Sequence, residues 1–163
     1  MDSPPPPAAL DRRTAGVIAP PPLLPLAVIV LAELLRWLVP LPIVGTDPWR
    51  RVVGGALLVC ALIFAGAAVL TLRRARTPVE PWKPTRAIVE RGPYAVSRNP
   101  IYVAFLGVQL AYAWGRGNAW GMLLLPLSAL LLHWGVITRE ERYLRERFGA
   151  PYEAYRQRVR RWL

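Results

Sequence analysis

The stretch Val52 to Leu72, VVGGALLVCALIFAGAAVLTL, runs 21 residues without a formal charge. As a helix it is about 31 Å long, the thickness of a bilayer's hydrocarbon core, so it predicts a transmembrane span. A second uncharged stretch of 21 residues, Asn118 to Thr138, predicts another. Together they decide what 163 residues with 54% hydrophobic content build: membrane spans, not a small soluble domain. Working outward, residues 23 to 39 are apolar except for Glu33 and Arg36, which lie three apart on one helical face and can neutralise each other. Residues 101 to 115 are uncharged over 15 positions, about 22 Å of helix, and cross only by borrowing polar flanks or thinning the bilayer. They read as one leg of a short hairpin.

The expected fold is therefore all-α: a multispan integral membrane protein with about four transmembrane helices, near residues 23–39, 52–72, 101–115 and 118–138. An amphipathic, cytosolic helical tail follows at the carboxyl terminus. Residues 1–22, with Pro4 to Pro7 and Pro20 to Pro22, read as a disordered tail, and 23–163 as a single membrane domain.

The net charge of +11 raises nucleic-acid binding as a function, and the placement of the charge argues against it. Seven basic residues from Arg73 to Arg98 lie between the second and third spans, and eight from Arg139 to Arg161 follow the last. With Arg12 and Arg13 on the same side, both termini are cytoplasmic and the basic partners are anionic lipid headgroups. No nucleic-acid partner is expected. Cys60 is the only cysteine, sits mid-span without metal-ligating companions and reads as packing, so no metal site is expected.

Between the spans, Pro78, Pro81, Pro84 and Pro93 forbid one continuous helix over residues 73–99, and Trp82 can anchor the segment at the headgroup level. Pro100 suits the first turn of the next helix. In the tail, Glu140 to Phe148 is rich in helix formers and Gly149 is placed to end them. Near Pro151 a second helix begins, with Tyr152, Tyr155, Val159 and Trp162 on one face and Arg156, Arg158, Arg160 and Arg161 on others. It lies in the interface as an anchor, folds back over the inner segment to roof a pocket, or does both.

Two polar clusters bracket the hairpin: Arg91-Gly92-Pro93-Tyr94 through Arg98-Asn99-Pro100-Ile101-Tyr102, and Thr138-Arg139-Glu140-Glu141-Arg142-Tyr143. The hairpin delivers both to one membrane face, where 73–99 and 139–163 form a candidate site. Glu140 and Glu141 point about 100° apart on a helix, so one can face a pocket while the other meets a structural arginine. Alternatively both simply pair with Arg98, Arg139, Arg142 or Arg145. Basic, amide and acidic groups together suit a zwitterionic ligand.

These runs, with Arg139-Glu140-Glu141-Arg142-Tyr143-Leu144, Arg147-Phe148-Gly149, Tyr152, Tyr155, Val159 and Arg160, resemble the isoprenylcysteine carboxyl methyltransferase family and its relatives, the phospholipid N-methyltransferases among them. The likeness covers about residues 88–163; the first half matches only as generic membrane helices. It implies a methyltransferase using S-adenosylmethionine, held by the last helices and the tail, with a lipid-like or other amphiphilic acceptor entering from the bilayer. An isoprenylcysteine carboxylate is the best-known acceptor of that family. By the same resemblance the cofactor role falls on Tyr94, Asn99, Pro100, Tyr102, Glu140 and Glu141. His133, Arg139 and Tyr152 complete the cofactor candidates, and Arg98 and Glu141 are the catalytic candidates.

The residue chemistry is compatible with that cofactor. Arg98 or Arg139 can meet a carboxylate, Glu140 or Glu141 an amino group or ribose hydroxyls, and Tyr94, Tyr102, Tyr143 or Tyr152 can wall an adenine. One departure stands out: Asn99 occupies the place where many family members have histidine, and asparagine does not titrate near neutral pH. His133, the only histidine, lies within the last span and reads first as a buried hydrogen-bonding group, with a pocket-lining role open because Glu140 is about two turns away. Gly115-Arg116-Gly117 falls at an outer turn and is not assigned to the cofactor. Two other function classes stand beside the enzyme: a non-catalytic membrane protein that binds a lipid or small ligand, and a scaffold whose charge clusters are helix caps and lipid anchors. The small residues Ala61, Ala65, Ala68, Gly117 and Gly121 offer close helix packing, between subunits or within one.

Overall fold

The computed structural model describes residues 15–41 and 48–163. The first part of the expected tail, with Arg12 and Arg13, and residues 42–47 of the outer loop lie outside the described residues. Among the described residues there is no strand. The helices are α1 (Leu23–Leu38), α2 (Pro48–Arg74), α3 (Pro100–Arg116), α4 (Ala119–Leu123), α5 (Leu125–Leu132), α6 (Thr138–Phe148) and α7 (Ala150–Arg158). A 3-10 turn, Gly92–Ala95, precedes α3, and a π-helical turn, His133–Ile137, joins α5 to α6.

Proline and glycine set the boundaries. Pro48 and Pro100 open α2 and α3, where a missing N–H costs nothing. Gly117, with φ +62°, ends α3, and Asn118 caps α4 by accepting a hydrogen bond from the Gly121 N–H. Gly149, with φ +56°, separates α6 from α7, as its position in the sequence predicts.

Two helical runs are long and apolar enough to cross a membrane: Pro48–Arg74 and the 30-residue run Ala119–Phe148. The second is not one straight rod. It is broken at Leu124, before Pro126, and widened at the π turn. At about 45 Å it outruns the hydrocarbon thickness, and its last eleven residues carry seven charges, so that end projects beyond the apolar layer. α1 and α3, of 16 and 17 residues, are about 24–26 Å long.

The most extensive pairing is between α2 and α3. Small residues make it: a Cβ placed on Gly54 would sit 2.8 Å from Gly115 Cα, and one on Gly107 would sit 3.1 Å from the Ala61 methyl. Ala61, Ala68, Ala104 and Ala111 are buried along the same pair. A Cβ on Gly121 would likewise meet the Ala113 methyl at 2.7 Å. Gly121, Ala61 and Ala68 thus join helices within one subunit. Val59, Ile63 and Leu70 on the outer face of α2 are exposed, as lipid-facing residues are.

Several polar residues between the helices satisfy one another. Ser128 Oγ donates to Gln109 Oε1 at 2.5 Å, and Gln109 Nε2 donates to the Gly121 carbonyl at 3.3 Å. Asn118 Nδ2 donates to Ala32 O and to Glu33 Oε1. Glu33 also pairs with Arg36 at 3.6 Å, the neutralising contact expected from their spacing. The segment at residues 15–18 is tied down: Ala15 N–H donates to Pro81 O, and Ile18 N–H to Gly135 O inside the π turn.

Candidate functional site

The site begins at the turn that leads into α3. The Gly92–Ala95 turn leads towards α3, and the Arg98 N–H then donates to the Arg160 carbonyl at 2.9 Å. Asn99 Nδ2 donates to the Arg161 carbonyl at 2.9 Å, and Ser97 Oγ to the same oxygen at 3.4 Å. The tail following α7 is therefore stitched to residues 97–99. α7 folds back over the inner segment: Tyr152 and Tyr155 are 1% and 4% exposed, and Tyr155 Oη donates to the Tyr94 carbonyl at 2.7 Å. Of the two readings of this amphipathic helix, the roof over a pocket is the one with its aromatic face buried in protein.

Beneath that roof lies a partly open cleft of about 130 Å³, room for a compact polar group with the rest of a larger ligand emerging through the open side. Its walls contain Tyr94, Arg98, Asn99, Pro100 and Tyr102 from one cluster, and Glu140 and Glu141 from the other. Tyr143, Tyr152 and Tyr155 add aromatic surface, and Ile88, Val89 and Leu144 add apolar surface. The two clusters at the ends of the hairpin thus meet across a single cavity.

Two sequence candidates lie elsewhere. Arg139 is exposed and donates from Nη1 to the Gly16 carbonyl at 3.1 Å, so it anchors the 15–18 segment and does not line the cleft. His133 sits outside the cavity wall, with its ring nitrogens 3.2 and 3.4 Å from Arg161 Nη1. Arg139, one position before Glu140 on α6, points about 100° away from it, and His133 opens the π turn.

The two carboxylates have different surroundings. Glu141 is 5% exposed and saturated by guanidiniums: Arg161 donates from Nε to Oε1 at 3.0 Å and from Nη2 to Oε2 at 2.6 Å, while Arg98 Nη2 stands 3.2 Å from Oε1. Glu140 has no arginine partner among the described residues and accepts from Tyr102 Oη at 2.6 Å. Burial pushes its carboxyl above the ordinary range, to about 7, with the Glu141 charge adding to the rise and the Tyr102 bond opposing it. Burial also pushes the phenols of Tyr94 and Tyr155 up, and that of Tyr152 to about 12, so all three are neutral at physiological pH.

Arg98 holds the remaining chemistry. Its side chain is 9% exposed, and its Nε and Nη1 are buried without a hydrogen-bond partner among the described residues. Buried donors are nearly always satisfied, so two on one guanidinium facing a cleft mark a place for an acceptor supplied by a ligand. Arg161, which completes the Glu141 ion pair, was not singled out by the sequence. It stood among several arginines of the tail, and no local signal separates it from those that meet lipid.

Comparisons with known proteins agree with the motif that carries these residues. An uncharacterised protein of Haemophilus influenzae is 38% identical over 63 residues, which are 39% of this chain and 100% of that protein. No solved structure matches the chain. Residues 49–151 match the model of the family described as phospholipid methyltransferase, a stretch that starts in α2, which the sequence reading left as a generic membrane helix, and ends at the start of α7. With well over half its length and nearly all of the cleft inside that match, the chain belongs to the phospholipid methyltransferase family.

Proposed function

We propose that this protein is an S-adenosylmethionine-dependent methyltransferase that modifies a lipid-like or other amphiphilic acceptor at the cytoplasmic membrane surface. In this reading α1, α2, α3 and the run from Ala119 are four spans, both termini are cytoplasmic, and the cleft sits where the spans meet the headgroups. The observation that carries the proposal is Arg98: two buried donors without a partner among the described residues, in a cleft that also holds Glu140, Glu141 and five tyrosines. That set fits the cofactor's carboxylate, its ammonium or ribose hydroxyls, and its adenine face.

When bound, S-adenosylmethionine supplies a methyl group already activated on a sulfonium. The protein's residues then have positioning to do. Arg98 holds the anionic end, the tyrosines and the apolar wall at Ile88 and Val89 exclude water, and α7 closes the roof. Glu141, committed to two guanidiniums, orients Arg98 and does not meet the acceptor. Glu140 is the cleft group that can take a proton near neutral pH, the role that Asn99 cannot fill because an amide does not titrate there. The acceptor enters through the open side.

Calorimetric titration of the detergent-solubilised protein with S-adenosylhomocysteine tests the cofactor. Binding is expected for wild type and should fall about a hundredfold in Arg98→Met, the scale for losing a buried charge-assisted pair. Equal binding by both proteins would remove Arg98 from the site, and no binding by either would remove the function. Transfer of labelled methyl into a membrane-lipid extract then separates an enzyme from a binder.

A further inference from the structure

We infer that Arg161, supplied by the tail after α7, is a positioning residue of the cleft: its fork on Glu141 keeps the Arg98 donors free for an anionic ligand group. The inference rests on the cofactor reading above and adds to it a residue outside the stretch that carries the family match.

The Glu141 carboxylate faces two guanidiniums, so the trio bears one net positive charge. The division between them is unequal. Arg161 presents two parallel donors, Nε at 3.0 Å and Nη2 at 2.6 Å, one to each oxygen. Arg98 gives only Nη2, at 3.2 Å, to an oxygen that Arg161 already holds. Arg161 is itself fully employed, because its third nitrogen rests on His133 at 3.2 Å. Its backbone is fixed as well, since its carbonyl accepts from Asn99 and Ser97.

Removing Arg161 would leave Oε2 of a buried carboxylate without its charged partner, and Arg98 is the cation within reach. Arg98 would then turn its free edge onto Glu141 and form the bidentate pair that planar guanidiniums favour. The positive charge would be spent inside the protein. Arg161 therefore acts through Arg98 and touches no ligand.

A tail that merely held the fold would weaken every ligand alike, which separates the two roles. S-Adenosylhomocysteine carries the amino-acid carboxylate; 5′-methylthioadenosine keeps the nucleoside and thioether and lacks it. In Arg161→Met, S-adenosylhomocysteine affinity should fall by about tenfold or more while methylthioadenosine changes less than about twofold. Arg161→Lys, which keeps the charge and loses the fork, should show a smaller change in the same direction and guards against a methionine variant that does not fold. Gly54→Val, which strains the α2–α3 crossing away from the cleft, should lower the melting temperature and keep the wild-type ratio of the two affinities. Equal loss of both ligands in the Arg161 variants, or no loss of either, overturns the positioning role while the cofactor reading stands. A wild-type protein that binds neither ligand overturns both.

Discussion

Glu140 and Glu141 are chain neighbours with opposite electrostatic fates. Glu141 is met by two arginines, and Glu140 is half-buried against a neutral phenol. The difference has a sign in stability. Because the folded carboxyl of Glu140 is raised from 4.5 to about 7, the folded chain holds this proton more tightly than the unfolded one. Below pH 4.5 the group is neutral in both states and has no effect. Between 4.5 and 7 the unfolded state ionises first and stability falls, and above 7 the full penalty remains. Glu140→Gln should therefore raise stability at pH 8 by roughly 1–3 kcal/mol and leave it unchanged at pH 4, read as melting temperature in detergent. An equal shift at both pH values would sink this account. The residues that meet in the cleft were readable where they stand in compact runs, from Tyr94 to Tyr102 and at 140–141. Arg161 was not, since its partner lies 20 residues away across a glycine break and only the folded tail brings them together.

At the scale of elements, the α2–α3 pair is held by backbone contact. Gly54 has no room for a side chain, while Gly55, one residue on, has nothing within 4 Å of the same hypothetical methyl. Gly54→Val should destabilise by about 1–3 kcal/mol, the scale of overpacking a fitted interface, and Gly55→Val should be near neutral. Thermal unfolding of the two variants side by side checks it; matching losses would mean that the crossing does not set the cost. Sequence marked both helices by length and apolarity. It could not mark the widened turn at His133–Ile137, because a π turn is selected by packing around the helix and leaves no composition of its own. Nearness along the chain to Glu140 kept His133 among the candidates, and the folded chain sets its ring against Arg161 instead.

For the whole molecule, the uneven distribution of charge predicts the direction of insertion. With Cys60 replaced by serine, a cysteine at Arg116 should react with a membrane-impermeant maleimide in intact cells, and one at Lys83 only after permeabilisation. Labelling of both from one side would contradict the four-span arrangement. Apolar stretches and arginine placement made the helical class legible from sequence, but the 15–18 segment read only as the end of a proline-rich tail. Nothing local in Ala15-Gly16-Val17-Ile18 specifies where it docks, since its partners Pro81, Gly135 and Arg139 are distant in the chain. Those separations also set a clock for biogenesis. Ala15 lines the cleft, yet it is synthesised long before Gly135 and Arg139, and a chain halted in translation after α3 could hold its inserted helices and still have no cleft. Ligand-binding competence should thus arrive in one late step, after the last helix has left the ribosome.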